Sequence, residues 1–430
     1  MAAEGERPDD TDIGVSVAPL LIGVGLLMLG NGLQGSLLGL RAAAEGFSNA
    51  VIGIVMASFF AGFLVGAIWA VSVVQRVGHI RGFAAFASIA SVSILAHGVF
   101  VEPIFWSALR FVTGICFAGI FVVAESWLNS SSSNQNRGQL LSVYMFTSFA
   151  GMGAGQLLLN LSSPESINLF ILVSVLISFS VVPMLLNAAP PPNAGQTGED
   201  PSLPGVKTVK RVFTASPLGV VGTFTAGIIN GAVFGMGAVY ALERGFSVTG
   251  ASLFMGVIIA GSALLQWPIG KLSDTIDRRV TITLISVAAA GLAVMINLFG
   301  EGGWFWSIAF LFGGASLSLH TLSIAYTNDY LEPTEMVGAS GVLVLVLGFG
   351  SILGPLVAGL AIENIGPTGY FFAIAGVHIA LSAFAVWRMF QRAALDQDDQ
   401  GPYISLPSAT SSVAIEAAEE AHADQLSDGR

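Results

Sequence analysis

One arginine lies inside a long apolar run of the sequence. Arg110 follows Pro103 by seven residues, in a stretch that reads Phe-Trp-Ser-Ala-Leu-Arg-Phe-Val-Thr-Gly. In a membrane-spanning helix, a rise of 1.5 Å per residue places Arg110 about 10 Å below the end of the helix. A charge at that depth is costly unless it faces a wet cavity or a partner. Arg110 is therefore a candidate for binding a solute or for ion coupling, and the alternative is that it braces neighbouring helices.

Other polar side chains interrupt apolar runs in the same way. Asn31 and Gln34 are three residues apart, so they share one helix face, and they lie at a depth comparable with that of Arg110. Asn230 is the counterpart of Asn31 in the internal repeat described below. His320 lies near the middle of its run, where an imidazole can carry a proton or bind an anionic group. A hydrogen-bonded interior histidine is the equal alternative for His320.

A second group of candidates consists of charges at the ends of apolar runs. The stretch 266–279 carries five charges within ten residues, between two runs long enough to cross a bilayer. Arginines beside helix C-termini are favoured by the backbone dipole. We expect this group to hold the two halves of the chain together on one side of the membrane in one state, and the alternative is that its charges only set topology. Its members are Arg76, Glu125, Arg137, Asp274, Arg278, Arg279 and Asp329.

The two acids at helix ends have expected partners within this group. Glu125 comes late in the run that contains Arg110, so it lies at the membrane surface rather than at mid-membrane. It is expected to pair with Arg76 or Arg137. Asp329 occupies the matching end of a later run and is expected to pair with either arginine of the 266–279 stretch. Both acids are interpreted as structural and gating residues.

The composition predicts an all-α integral membrane protein. Of its 430 residues, 54% are hydrophobic and only 10% are charged, where a soluble protein carries roughly a quarter charged residues. A membrane helix needs about 20 mainly apolar residues, and twelve runs qualify. They are 17–40, 50–74, 82–100, 104–128, 138–161, 167–187, 218–242, 252–272, 280–299, 305–328, 337–362 and 368–389.

The distribution of basic residues predicts the orientation. Arginines and lysines concentrate in the loops that share a side with both termini, which indicates that both ends face the cytoplasm. A proline-rich segment divides the spans six and six. The expected units are an acidic N-terminal tail (1–16), an N-terminal six-helix bundle (17–187), a cytoplasmic linker (188–216), a C-terminal six-helix bundle (217–392) and an acidic disordered tail (393–430).

The two halves of the chain are related by an offset of 199 residues. This offset aligns Phe-Ser at 47–48 with Phe-Ser at 246–247, and Asn-Gly at 31–32 with Asn-Gly at 230–231. It also aligns Gly62 with Gly261. An offset that stays constant over several helices indicates an ancestral duplication. Two pseudo-symmetric bundles with a substrate site between them are an arrangement of secondary transporters.

Short motifs give the chain a family resemblance. They are Gln-Arg-Val-Gly at 75–78, Arg-Phe-Val-Thr-Gly at 110–114, Ala-Glu-Ser at 124–126, Asn-Arg-Gly-Gln-Leu-Leu at 136–141, Gln-Trp-Pro-Ile-Gly at 266–270, Asn-Asp at 328–329 and Gly-Pro at 354–355. With these motifs the chain resembles the YcaD-like branch of the major facilitator superfamily. Antiporters of that superfamily carry a Gly-Pro-rich signature in helix five, whereas this chain has Gln156 in place of the proline.

The resemblance implies a fold of twelve transmembrane helices and a function. The expected function is secondary transport of a small solute across the inner or plasma membrane by alternating access, with proton coupling left open. The partners are then the solute, with or without H⁺, and the lipid bilayer; neither nucleic acid nor an obligate protein partner is expected. The alternatives are multidrug or metabolite efflux, and a membrane scaffold or sensor that recruits a partner through its acidic tail.

Enzymatic activity is not expected from this sequence. It contains no combination of nucleophile, base and orienting group outside the membrane, and no metal-ligand spacing. It also lacks the Gly-rich lysine loop that cradles phosphates, which disfavours an ATP-driven pump. No cofactor is therefore expected.

Overall fold

The protein is described here from a computed structural model. The structure describes residues 10–132, 136–186, 205–299, 302–395, 400, 401 and 403, and these residues form helices and short connections without a β-strand. The expected N-terminal tail before residue 10, most of the linker and the chain after residue 403 lie outside the described residues.

Fourteen α-helices make up the described part of the chain. They are α1 (Asp10–Ala44), α2 (Asn49–Val77), α3 (His79–Val99), α4 (Pro103–Ser130), α5 (Arg137–Leu157), α6 (Ile167–Leu185), α7 (Val206–Ala215), α8 (Pro217–Glu243), α9 (Val248–Ser273), α10 (Arg278–Leu298), α11 (Gly303–Leu317), α12 (Leu319–Asn328), α13 (Pro333–Ile365) and α14 (Pro367–Gln391). A 3₁₀ turn over Leu158–Leu161 extends α5.

The expected fold of twelve membrane-spanning helices is confirmed. Eleven segments of the described chain are long and apolar enough to cross a membrane, with α11 and α12 counted as one segment. The remaining span is α5, which has 21 residues and packs along α1. The linker contains a helix that the sequence analysis did not anticipate: α7 is too short to span a bilayer and is strongly amphipathic.

One expected span contains a break. The run 305–328 falls within a single candidate membrane span, but its helix is interrupted at Ser318, between α11 and α12. The Ser318 hydroxyl donates to the carbonyl of Gly314 at 2.7 Å. A serine that bonds back to the preceding turn in this way bends helices. The break places His320 at the start of α12.

The expected repeat is visible in the turns of the two halves. Gly46 and Gly245 both have positive φ angles, of 78° and 91°, and each lies in the turn that joins two consecutive helices. Two residues later, Ser48 and Ser247 cap the next helices by accepting from backbone N–H groups. Gly46 and Gly245 are 199 residues apart, and so are Ser48 and Ser247. The same local chemistry therefore starts α2 and α9.

Helix packing follows the same offset. A side chain at Gly62 of α2 would collide with the carbonyl of Phe111, and one at Gly261 of α9 would collide with the carbonyl of Phe310. Each glycine therefore permits backbone contact between two helices, α2 with α4 and α9 with α11. Since contacting residues in both pairs differ by 199, the two bundles share one packing plan.

The two bundles are joined at one side of the membrane. We call the side of α7 and residues 392–395, 400, 401 and 403 the linker side, and the opposite side the far side. At the far side, the N–H of Ala50 donates to Glu363 Oε2 at 2.6 Å, and Asn49 Nδ2 donates to Glu243 Oε1 at 3.2 Å. The Ser252 hydroxyl donates to the carbonyl of Gln156 at 2.8 Å. These bonds close the far side between the bundles.

Candidate functional site

A central cavity of about 130 Å³ lies between the two bundles. Residues from α1, α2, α4 and α5 line it on one side, and residues from α8, α9 and α13 line it on the other. Most of the lining is apolar or aromatic. The polar and charged lining residues are Asn31, Ser36, Arg110, Tyr144, Ser148, Gln156, Asn230 and Ser351.

Arg110 supplies the positive charge of this cavity. It is 5% exposed, and its guanidinium carbon lies 4.3 Å from the centroid of the Phe59 ring. A cation over an aromatic face is stabilised by the ring quadrupole. The buried Nε of Arg110 has no hydrogen-bond partner among the described residues. Of the described lining residues it is the only charged one, so the site has an unbalanced cation.

Two of the other sequence candidates share the cavity with Arg110. Asn31 and Asn230 line it from opposite bundles, as their positions in the repeat require. Asn230 is 5% exposed, and its Nδ2 has no hydrogen-bond partner in the described structure. The Asn230 amide is therefore an available hydrogen-bond donor on the C-terminal-bundle side of the cavity.

Gln34 and His320 lie outside the lining of the cavity. Gln34 is 1% exposed, and the structure places no partner on either atom of its amide. His320 is 2% exposed, and neither ring nitrogen has a hydrogen-bond partner within the described chain. No hydrogen bond among the described residues therefore supports the interpretation of His320 as a hydrogen-bonded interior residue. The role of His320 as a proton carrier stays a prediction.

Gln156 has a structural role that sequence reasoning did not assign. Its Nε2 donates to the carbonyl of Gly32 at 2.8 Å, and its Oε1 accepts from the Ser36 hydroxyl at 2.6 Å. The side chain thus bridges α1 and α5 and forms part of the cavity wall. A proline at this position could make neither bond.

The charge cluster of the C-terminal bundle lies at the linker side. Arg278 is 2% exposed at its side chain and contacts Asp329 Oδ1 at 2.5 Å and Asp274 Oδ1 at 2.9 Å. It also donates to the carbonyl of Ala325 at 3.1 Å. Burial raises the pKa of Asp329 to about 6, although the nearby Arg278 lowers it. One of the two partners expected for Asp329 is therefore in place.

Arg279 makes different contacts from its neighbour. Its guanidinium binds the Asp277 carboxylate at 2.6 Å and donates to the carbonyl of Arg392 at 2.7 Å. It therefore links the start of α10 to the end of α14, while Arg278 links α10 to α12.

The matching residues of the N-terminal bundle make different contacts. Glu125 is 2% exposed and accepts from the Tyr144 hydroxyl at 3.0 Å. Arg137 Nε donates to the Ser132 hydroxyl at 3.3 Å, and Arg76 is exposed. Tyr144 lines the cavity, so Glu125 lies behind the cavity wall. The expected pairing of Glu125 with Arg76 or Arg137 stays a prediction.

Comparison with known proteins identifies the family. A sequence profile described as Major Facilitator Superfamily matches residues 20–331. The chain belongs to the Major Facilitator Superfamily. It is 29% identical over 359 residues to the uncharacterized MFS-type transporter YcaD of Escherichia coli O7:K1, covering 83% of this chain and 92% of the relative. The protein is therefore a membrane transporter and not an enzyme.

Solved structures support the fold assignment. The nucleoside transporter NupG superposes with a TM-score of 0.73 at 16% identity, over 88% of this chain and 99% of that protein. An inward-facing bacterial homolog of the human lysosomal transporter Spinster superposes with a TM-score of 0.67 at 16% identity, over 98% and 99% of the two chains. At this level of identity, both show the fold alone.

Proposed function

We propose that this transporter carries a small organic anion through the central cavity, with Arg110 binding the anionic group. The observation that carries the proposal is a buried guanidinium facing a cavity whose described lining contains no acid. Removing an ion from water is costly, and an anionic solute would supply the missing counter-charge. Charge-assisted hydrogen bonds are also the stronger ones in proteins.

The other lining residues favour particular chemical features in the remainder of the solute. Phe59, Phe60 and Phe63 present aromatic surface, and Met152 and Leu347 add aliphatic surface. The amides of Asn31 and Asn230 provide polar contacts from both bundles. A cavity of about 130 Å³ is small beside the roughly 300–1,000 Å³ of pockets for drug-sized ligands. These features favour a compact, partly apolar anion over the bulky solutes of multidrug efflux.

Transport would proceed by alternating access. The hydrogen bonds at the far side keep the bundles together there, and rocking of one bundle against the other would open that side and close the linker side. The Arg278 cluster would stabilise the linker-side end of the C-terminal bundle during this movement. The excess of basic residues on the linker side supports a cytoplasmic position for that side, in the inner or plasma membrane that we propose for the protein.

Proton coupling is a second candidate function. Its support is the hydrogen bond between the Tyr144 hydroxyl and Glu125, which connects an acid to the cavity wall. Protonation of Glu125 would neutralise the acceptor, weaken the charge-assisted bond from Tyr144 and so alter the cavity wall. Transport that keeps its pH dependence in a Glu125→Gln variant would exclude this route.

The proposed solute class is tested by ligand-induced thermal stabilisation. A ligand that binds only the folded protein raises its melting temperature. The panel should pair small aromatic and aliphatic carboxylic acids with their primary amides, which have similar shape but no charge. Acids should stabilise the original chain and amides should not. Arg110→Gln should weaken binding by about ten- to 150-fold, the equivalent of the roughly 1.5–3 kcal/mol of a charged hydrogen bond.

Two variants control this experiment. Arg110→Lys keeps the charge and should retain part of the binding. Arg211→Gln removes an arginine whose side chain is 55% exposed and paired with Glu335 at the protein surface, so it should bind like the original chain. Equal stabilisation by acids and amides, or binding that survives in Arg110→Gln, would contradict the proposal. A folded sample that responds to no solute would favour the scaffold alternative.

A further inference from the structure

The chain beyond α14 returns to the linker-side end of the C-terminal bundle. Arg392 donates from Nη1 to the carbonyl of Ala215 at 2.8 Å, and its guanidinium lies 4.1 Å from the centroid of the Tyr330 ring. Arg279 donates to the carbonyl of Arg392 at 2.7 Å. These contacts fix the direction in which the chain leaves α14.

The chain then binds the charge cluster through its backbone. The N–H of Gly401 donates to Asp329 Oδ1 at 3.1 Å, and Arg278 Nη2 donates to the carbonyl of Gly401. The N–H of Tyr403 donates to Asp274 Oδ1 at 3.0 Å. The same carboxylate oxygens that bind Arg278 therefore also bind the tail, so the cluster holds a peptide segment in addition to its own arginine.

The Tyr403 side chain enters the C-terminal bundle. Its ring packs against Gly270 of α9, where even a Cβ atom would overlap it. Its hydroxyl lies beside Gln266 and Thr321, and Gln266 Nε2 donates to the Thr321 hydroxyl at 2.6 Å. We call these three residues, Gln266, Gly270 and Thr321, the Tyr403 slot. A large amphipathic side chain is thus held between α9 and α12.

The internal repeat shows which face of the bundle the slot occupies. The counterpart of Gln266 under the 199-residue offset is Ala67. Ala67 lines the central cavity. The Gln266 end of the Tyr403 slot therefore lies on the face of the C-terminal bundle that corresponds to the cavity face of the N-terminal bundle. In alternating access, this is a face that meets the other bundle when the linker side closes.

We propose that the tail residues Gly401 and Tyr403 form an autoinhibitory contact, a plug that occupies the Tyr403 slot and opposes closure of the transporter at its linker side. Closure of that side would press the two bundles together where Tyr403 lies, so the plug must leave its slot before closure. Release requires the loss of the two backbone bonds to Asp274 and Asp329. This inference goes beyond the proposed substrate and is independent of it.

Cysteine accessibility tests the plug in the full-length chain. The single native cysteine, Cys116, is buried and can be replaced by alanine. Gln266→Cys then reports on the slot, and Ala67→Cys reports on its repeat counterpart. A membrane-impermeant maleimide applied from the linker side should label Ala67→Cys readily and Gln266→Cys slowly. Adding Tyr403→Ala should accelerate labelling at Gln266→Cys by about ten-fold or more and leave Ala67→Cys unchanged.

A second variant addresses the backbone bonds. Asp274→Asn weakens the acceptor for the N–H of Tyr403 and should also accelerate labelling at Gln266→Cys, while Asp277→Asn, which changes a neighbouring acid that binds Arg279, should not. Labelling of Gln266→Cys that is fast in the presence of Tyr403, or that stays slow in Tyr403→Ala, would overturn the proposal. Neither result bears on anion binding by Arg110, which is measured by thermal stabilisation.

Discussion

Alanine at two equivalent glycines should destabilise both bundles to a similar extent. A Cβ atom at Gly62 would overlap the carbonyl of Phe111 and lie 2.9 Å from its Cα, and a Cβ atom at Gly261 would overlap the carbonyl of Phe310 and lie 3.1 Å from its Cα. The obstruction in each case is backbone, which cannot rotate aside. Each helix pair must therefore separate by on the order of 1 Å, which weakens its close packing.

The expected cost follows from two opposing effects. Overpacking of a tight interface costs about 1–3 kcal/mol, and backbone against backbone belongs at the upper end of that range. Alanine recovers up to about 1 kcal/mol of helix propensity relative to glycine. The net destabilisation is then about 1–2 kcal/mol at each site. For units of roughly this size, it lowers the melting temperature by several degrees.

The assay is thermal unfolding of purified variants in one detergent at one scan rate. Gly291→Ala is the matched control, because a Cβ atom at Gly291 of α10 meets nothing within 4 Å. It should melt at or slightly above the temperature of the original chain. If Gly62→Ala melts together with Gly291→Ala, the close approach of α2 and α4 is refuted. If only one of the two repeat sites responds, the equivalence of the two bundles is refuted.

Three further predictions concern the polar contacts. Burial raises the pKa of Asp329 to about 6 from 3.8, so ionisation of its carboxyl group costs folding free energy. The original chain should therefore lose stability relative to Asp329→Asn as pH rises from about 4 to about 7. A difference in melting temperature that does not change with pH would contradict this. Arg278→Gln should strongly destabilise the fold because it leaves Asp329 buried without its cation, whereas Glu335→Gln at the exposed pair with Arg211 should have little effect in physiological salt; equal melting temperatures would contradict the contrast. Gln156→Leu should cost about 1–3 kcal/mol in thermal unfolding, since the Gly32 carbonyl loses its donor; an unchanged melting temperature would contradict the bridge between α1 and α5.

Much of the fold was predictable because membrane helices are specified by simple patterns. Apolar runs of about 20 residues predict spans, and the 199-residue offset predicted a duplication, whose matching glycines Gly62 and Gly261 make equivalent helix contacts in the structure. The break at Ser318 was not predicted, since serine is common within membrane helices and its bond to the Gly314 carbonyl depends on side-chain rotamer. Helix α7 was missed because its charged, amphipathic sequence also suits a flexible linker.

The candidate site was predicted in part. Depth along a helix singled out Arg110 and Asn31, and the internal repeat singled out Asn230; the structure places all three in the lining of one cavity, and their role in solute binding stays a prediction. The same argument placed Gln34 with them, although it lies outside the cavity lining, because depth does not determine which neighbouring helix covers a side chain. Tyr403 gave no signal at all. It lies in a polar stretch outside every apolar run, and its slot is formed by residues more than 80 positions away.

The repeat also shows how the two bundles divide their chemistry. The counterpart of Arg110 is Ala309, which is fully buried, so the cation that we propose for solute binding has no equivalent at the matching position of the C-terminal bundle. The counterpart of Arg278 is His79. Among the described residues, the His79 ring forms one hydrogen bond, with the Ser126 hydroxyl at 3.0 Å, whereas Arg278 forms ion pairs with two acids.

The two bundles therefore share one packing plan but carry different side chains at equivalent positions, and we infer a different role for each. The N-terminal bundle contributes the charge that would bind the solute, and the C-terminal bundle contributes the cluster that binds the tail. Variants at Arg110 should then change ligand-induced stabilisation without changing labelling at the Tyr403 slot, and variants at Asp274 should do the reverse. A variant of either residue that alters both measurements equally would show that solute binding and tail binding are coupled through one conformational equilibrium.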